Sequence, residues 1–176
     1  MSETPQQYTQ RILANLGGET PEKVRASSAK KLEKLMIGVS PAKLAKRPAP
    51  DKWSVAEVVA HLADAEVAMS WRVRAILGAP GCAIEAFDQD AWASSMNYAK
   101  RNPKQSLAAF RALRENNIAL LKSLRREQFE VYGIHSERGT ETIAKIADMM
   151  AGHDLNHIRQ VEAILKPAKK TSKRKR

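Results

Sequence analysis

The sequence predicts an all-α fold, a four-helix bundle followed by a disordered basic C-terminal tail. Three observations predict it. Long stretches carry apolar residues at helical spacing. The connections between them are moderate in length and hold the prolines and glycines that end helices. No Gly-rich phosphate loop, no repeated segment and no alternation of strand and helix patterns occurs anywhere in the chain. Helices of this kind must bury their apolar stripes against one another. The bundle is expected to span residues 1–165 as one domain, with the tail at 166–176.

The first helical region covers roughly 5–37 and breaks at Gly17-Gly18. Thr20 is placed to cap its restart, with Pro21 at the first helical position. The stretch SPAKLAKRPAPDKW, with three prolines, reads as a loop. Ser54 caps the second long helix, and Glu57 three residues later completes a capping box. Val55, Val58, Leu62, Ala65, Met69, Val73 and Ile76 then recur at helical spacing until the turn at 78–81. A short helix is expected over 88–99. Asn102-Pro103 opens the next long helix, which runs to about Leu124 with Leu107, Phe110, Leu113 and Asn117 on its inner face. The segment 129–139 reads as an ordered loop holding at most a short extended piece. The last helix is expected from Thr140 to Leu165, ended by Lys166-Pro167.

Composition excludes several classes. With 176 residues and 43% apolar content, the chain can bury a sizeable core. It has no run of about 18 apolar residues that would cross a membrane, and its opening, MSETPQQYTQ, lacks an apolar signal core. Cys82 is the one cysteine, so neither an internal disulfide nor a Cys-based zinc site can form. A cytoplasmic location is expected. Seven of the 30 basic residues and none of the acids lie in 166–176, so the preceding residues carry only +4 of the net +11. That block reads as a solvated tail, with a weak, salt-sensitive polyanion contact as the alternative.

The last helix carries the functional signal. Its inward stripe reads Ile143, Ile146, Ala147, Met150, His153, Asp154, His157, Val161 and Ile164, so two histidines interrupt apolar positions. Four residues apart, they share one helical face and can chelate one ion. An imidazole is costly to bury unpartnered, and a metal takes neutral imidazole nitrogen as its ligand. Asp154 could hold the outer N–H of one of them. His61, at the edge of the second helix's stripe, would be the third ligand, with Glu57 and Asp64 as flanking partners. Two hydrogen-bonded or surface histidines remain the competing reading, level with metal binding, and nothing in spacing alone links His61 to the pair. His135 belongs to no ligand pair and reads as structural or surface-exposed. Trp53, Trp71, Trp92, Tyr98 and Phe110 read as core or pocket wall.

The runs DKWSVAEVVAHLADAE at 51–66 and GTETIAKIADMMAGHDLNHIRQVEAIL at 139–165 resemble the DinB/YfiT-like superfamily of metal-dependent four-helix bundles. A Trp-Ser helix start followed by His-Leu, and a late H-D-L-x-H-I-x-Q, carry the resemblance, which covers about 20–165. It implies a metal triad of His61, His153 and His157. It also implies a divalent ion, zinc or nickel foremost and manganese or iron next, and for some members a low-molecular-weight thiol as substrate. Three histidines leave a coordination position open, the arrangement of a catalytic site. The expected activity is therefore activation of a small thiol or water, of thiol-transferase, isomerase or hydrolase type. Glu57, Asp64 and Asp154 are the expected proton carriers, and a homodimer is the expected assembly. A non-catalytic metal-binding or stress-response protein is the alternative, and a nucleic-acid-associated protein acting through the tail is a third.

Overall fold

The computed structural model describes residues 3–166; apart from Lys166, the segment expected to be a disordered tail lies outside the described residues. Helix α1 (Pro5–Ala14) opens with a reciprocal cap in which the Thr4 hydroxyl accepts from the Gln7 N–H and the Gln7 side chain accepts from the Thr4 N–H. Gly17 and Gly18, both at positive φ, break the chain as expected. Helix α2 (Pro21–Met36) follows with Pro21 at its first turn, although the Thr20 hydroxyl makes no capping bond. A short α3 (Pro41–Ala45) forms inside the stretch read as a loop. Helix α4 (Val55–Gly78) begins with the expected Ser54–Glu57 capping box. Then come β1 (Ala83–Ile84), α5 (Gln89–Ser95), a 3-10 turn (Tyr98–Lys100) and α6 (Pro103–Ser123), capped by Asn102.

The expectation of an ordered loop with at most a short extended piece is corrected between α6 and the last helix. Residues 129–142 hold β2 (Tyr132–His135) and β3 (Gly139–Thr142), an antiparallel hairpin, and β1 adds in parallel to β2. The three strands make a small sheet at one end of the bundle. The alternation that would announce β2 is disguised: its buried members are Gly133 and His135, while Tyr132 and Ile134 are exposed. Helix α7 (Ile143–Leu165) accordingly starts three residues later than expected. Thr142 ends β3 and caps α7, its hydroxyl accepting from the Lys145 N–H at 3.1 Å.

Around the bundle the long helices run in the order α2, α6, α4, α7. Consecutive partners α2 and α4 therefore lie across a diagonal, as do α6 and α7, and the long connections 37–54 and 124–142 make those crossings. Apolar residues form two large clusters along the bundle axis, with a smaller third of Val24, Ala151 and Leu155. One large cluster joins Leu32, Val58, Leu62, Phe110 and Val161; the other joins Val73, Ile76, Ile84, Leu121 and Ile146. Between them lies a polar layer containing His61, Glu66, Arg114, Asn117, Asp154 and His157, all buried. Trp71, expected in the core or a pocket wall, is 70% exposed, because the α4 face it shares with Val67 meets no other helix. Among the described residues no helix is long and apolar enough to cross a membrane.

Helix α1 packs on α7 over that layer. Gly152 permits the approach: a Cβ there would lie 2.1 Å from the Ile12 carbonyl oxygen, a backbone atom that cannot swing aside. We expect Gly152→Ala to destabilise the fold by about 1–3 kcal/mol through overpacking. Denaturant unfolding checks this, and a variant as stable as the parent would show that α1 does not depend on this contact.

Candidate metal centre

Helices α4 and α7 lie side by side, and His61 on one faces His153 and His157 on the other. The Nε2 atom of His153 lies 3.0 Å from Nε2 of His61 and 3.1 Å from Nε2 of His157. Among the described residues, these three are the group of His, Cys, Asp and Glu side chains whose donor atoms approach closely enough to share an ion. The fold therefore supplies the link between His61 and the helical pair that spacing could not. His61 is not at an edge either: α4 is buried almost all round in its first three turns, and His61 is 2% exposed. The Trp53 ring packs on it at a centroid distance of 5.0 Å.

The environment keeps these imidazoles neutral. Burial pushes the His61 pKa down to about 3, with His157 adding repulsion, and burial likewise lowers His153 and His157. Gln160, one turn beyond His157, has its Oε1 2.8 Å from His157 Nδ1. Nδ1–H donating to that oxygen leaves a lone pair on His157 Nε2, directed at the other two rings. Two imidazole nitrogens bound to one ion at about 2.1 Å lie about 3.0–3.4 Å apart for right-angled to tetrahedral geometry. The two separations from His153 fall at the short end of that range and all three donor atoms lie within 4.8 Å of one another, so the donor set fits a divalent ion.

The carboxylates expected to serve the histidines are occupied elsewhere. Asp154, expected to hold the outer N–H of a histidine, instead accepts from both terminal nitrogens of Arg114. Arg114 also donates to both oxygens of Glu66, at 3.0 and 2.7 Å, and Asn117 Nδ2 donates to Glu66 at 2.7 Å. Glu57 closes the Ser54 cap and pairs with Arg47, and Asp64 pairs with Arg101 at 2.6 Å. The orienting role falls to Gln160, which the H-D-L-x-H-I-x-Q pattern contained but which has no charge to attract notice. His135, the fourth histidine, sits apart on β2. It is buried, its Nδ1 accepts from the Glu137 N–H at 3.2 Å, and burial lowers its pKa to about 4.

A cavity of about 270 Å³ opens over His61 and His153. Leu62, Ala65 and Met69 of α4, Tyr8 and Ile12 of α1, and Phe87 and Arg138 line it. Arg72, Arg114, Tyr8 and Ile12 gave no sequence signal for this role, since each comes from a different part of the chain or sits outside any motif.

Two outcomes follow. Asp154→Ala strands the Arg114 guanidinium in the interior with half its partners, and should cost about 3–5 kcal/mol in denaturant unfolding; a loss below 1 kcal/mol would mean the network is not structural. The histidines also set a pH dependence in chelator-treated protein. Their folded pKa values lie below the unfolded value of about 6.5, so below that pH the unfolded chain binds more protons. Stability should therefore be full above pH 7 and fall between about pH 6.5 and 4, above the carboxylate range. A melting temperature flat across that window would contradict the buried neutral triad.

Comparisons with known proteins bear on the family and the fold. Two proteins of Oceanobacillus iheyensis, both named putative metal-dependent hydrolases, are 24% and 26% identical to the chain over 113 and 114 residues, which cover 64% and 65% of it. A third, the putative metal-dependent hydrolase YfiT of Bacillus subtilis, is 28% identical over 110 residues, 62% of the chain. The chain spans slightly less than two thirds of these relatives, 65%, 66% and 62% of their lengths. The solved structure of YfiT, described as a four-helix bundle of unusual topology, superposes with a TM-score of 0.76 at 22% identity, covering 93% of this chain and 88% of that one. That likeness establishes the fold. The family model of the DinB superfamily matches residues 26–161, a segment that contains the whole histidine cluster. The chain belongs to the DinB superfamily.

Proposed function

We propose that the chain is a metal-dependent enzyme that binds one divalent ion through His61, His153 and His157 and acts on a small molecule in the cavity above them. The observation that carries this is the convergence of three neutral imidazole nitrogens, of which His61 and His153 line a cavity. Zinc or nickel suits three imidazoles, with manganese and iron as further candidates, whereas magnesium and calcium prefer oxygen. When bound, such an ion lowers the pKa of a thiol or water and polarises an electrophile.

The chain's own residues bind, orient and exclude water. Gln160 holds the His157 ring in its tautomer, and Trp53 backs the His61 ring. Ile12 and Tyr8 line the cavity and restrict bulk water, which strengthens electrostatic interactions inside it. Asp154 and Glu66 line the cavity but are neutralised by Arg114. Glu137, exposed at the mouth, is the lining carboxylate without an ion pair among the described residues. The absence of a free carboxylate beside the triad supports a nucleophile acidic enough to ionise without a strong base. That favours a low-molecular-weight thiol over water. The names of the relatives support hydrolysis, and the two reactions share this site.

Metal analysis of tag-free protein tests the proposal. We expect about one zinc or nickel ion per chain, loss of most of it in each single histidine-to-alanine variant, and retained helicity by circular dichroism. Gln160→Leu should weaken metal affinity about 10–100-fold by releasing the His157 ring. Failure to take up zinc, nickel, manganese or iron on reconstitution would refute the proposal. Metal uptake with no turnover of thiol or ester substrates would leave a binding protein instead.

A further inference from the structure

His61 and Arg72 lie eleven residues apart on α4, three turns plus about 20°, so both project from the same face. Arg72 lines the same cavity as the histidines and is 5% exposed. Its position is about 16 Å along the helix axis from His61, and helical side chains lean back toward the N-terminus, which brings the guanidinium nearer the triad. The group is only partly satisfied. Nη2 donates to the Glu85 carbonyl at 2.5 Å, Nη1 makes a weak contact with the Met69 sulfur at 3.8 Å, and the Phe87 ring lies 5.4 Å below. No carboxylate pairs with it among the described residues.

The other arginines of the interior and of the cavity wall set Arg72 in context. Arg114 has two carboxylates, and the half-buried Arg138 at the cavity wall pairs with Glu141 at 2.8 Å. Arg25 is also buried without a carboxylate, but it donates to the Ala147 carbonyl and lies away from the histidine cavity. Arg72 is thus the buried cation of this cavity that no carboxylate pairs directly among the described residues; the negative charge that favours it, Glu141, is already paired with Arg138 and Lys145. Of the lining carboxylates, Glu3, Glu66 and Asp154 are paired with Arg11 and Arg114, and the exposed Glu137 is screened by water. A buried guanidinium without an anion is costly, and an anion supplied by a ligand removes that cost.

We propose that Arg72 is a specificity-determining residue that anchors a carboxylate at the far end of the substrate, while the substrate's reacting group lies at the three histidines. The planar fork of the guanidinium matches a carboxylate, and the apolar wall of Met69, Phe87 and Met150 suits the chain between the two ends. The substrate class is therefore a compact organic acid whose reacting atom is separated from its carboxylate by several bonds. This rests on the proposed function only in placing the substrate in this cavity.

Binding of hexanoate and hexanamide, equal in length and shape, tests the inference by NMR titration of the full chain, as purified and again after EDTA dialysis. We expect the acid to bind at least tenfold more tightly than the amide in both states. Arg72→Met should bring the two within about twofold, and Arg72→Lys, which keeps the charge but loses the fork, should give an intermediate ratio. Equal binding in the parent overturns the inference, as does a preference that survives in folded Arg72→Met. So does a preference that disappears with the metal, since the ion and not the arginine would then hold the acid. If Arg72→Met does not fold, an unchanged ratio in Arg72→Lys overturns it. Metal content is measured in parallel. A chain that takes up no divalent ion ends the metal reading without touching this one, because the acid-to-amide ratio is also read in metal-free protein.

Discussion

Arg114 stands at the middle of the bundle, and every long helix touches it. Its guanidinium reaches Glu66 on α4 and Asp154 on α7, and Nη1 approaches the Arg25 carbonyl on α2 at 3.4 Å. A buried ion cluster of this kind contributes little net stability compared with apolar packing, because desolvation offsets the Coulomb gain. What it does impose is register. Sliding α7 by one turn would bury Asp154 without its cation, and the penalty for an unpaired interior charge far exceeds that for a shifted apolar contact. The apolar clusters on either side tolerate such shifts more readily, since leucine and valine fit many holes.

The histidine cluster inherits its alignment from that register. His153 precedes Asp154 in sequence, and His61 lies five residues before Glu66, so the ion network locks both histidine-bearing helices within about one and a half turns of the site. Trp53 and Gln160 then fix ring orientation locally. The close approach of α1 over Gly152 completes the cavity lining, so a glycine next to a histidine has its own steric reason in this fold.

The same network shapes the chemistry. By consuming Glu66 and Asp154, Arg114 neutralises the two buried carboxylates that line the cavity, and Arg72 is the buried cation there without a paired carboxylate among the described residues. The cavity is therefore neutral at the histidine end, positive at the other and apolar between. Such an environment is the one the proposed anchoring of a small organic acid by Arg72 relies on.

Much of this was legible in the linear chain. Helical periodicity, the Ser54–Glu57 box, Asn102-Pro103 and the glycine pair at 17–18 located the long helices, because the forces behind them act within a few residues. His153 and His157 could be read as a pair for the same reason, as i and i+4 positions on one face. The small sheet escaped because β1 and β2 pair across about 50 residues and β2 buries a glycine and a histidine instead of apolar side chains. The partners of Asp154, Glu57 and Asp64 escaped because a carboxylate's nearest cation is set by helix packing, and Arg114 is 40 residues from Asp154. By itself the sequence determined where the long helices lie and that His153 and His157 share one helical face. Only the tertiary structure decided that His61 meets the pair, which carboxylates are neutralised and that Arg72 is left without one, since those depend on distances between helices that no local interaction encodes.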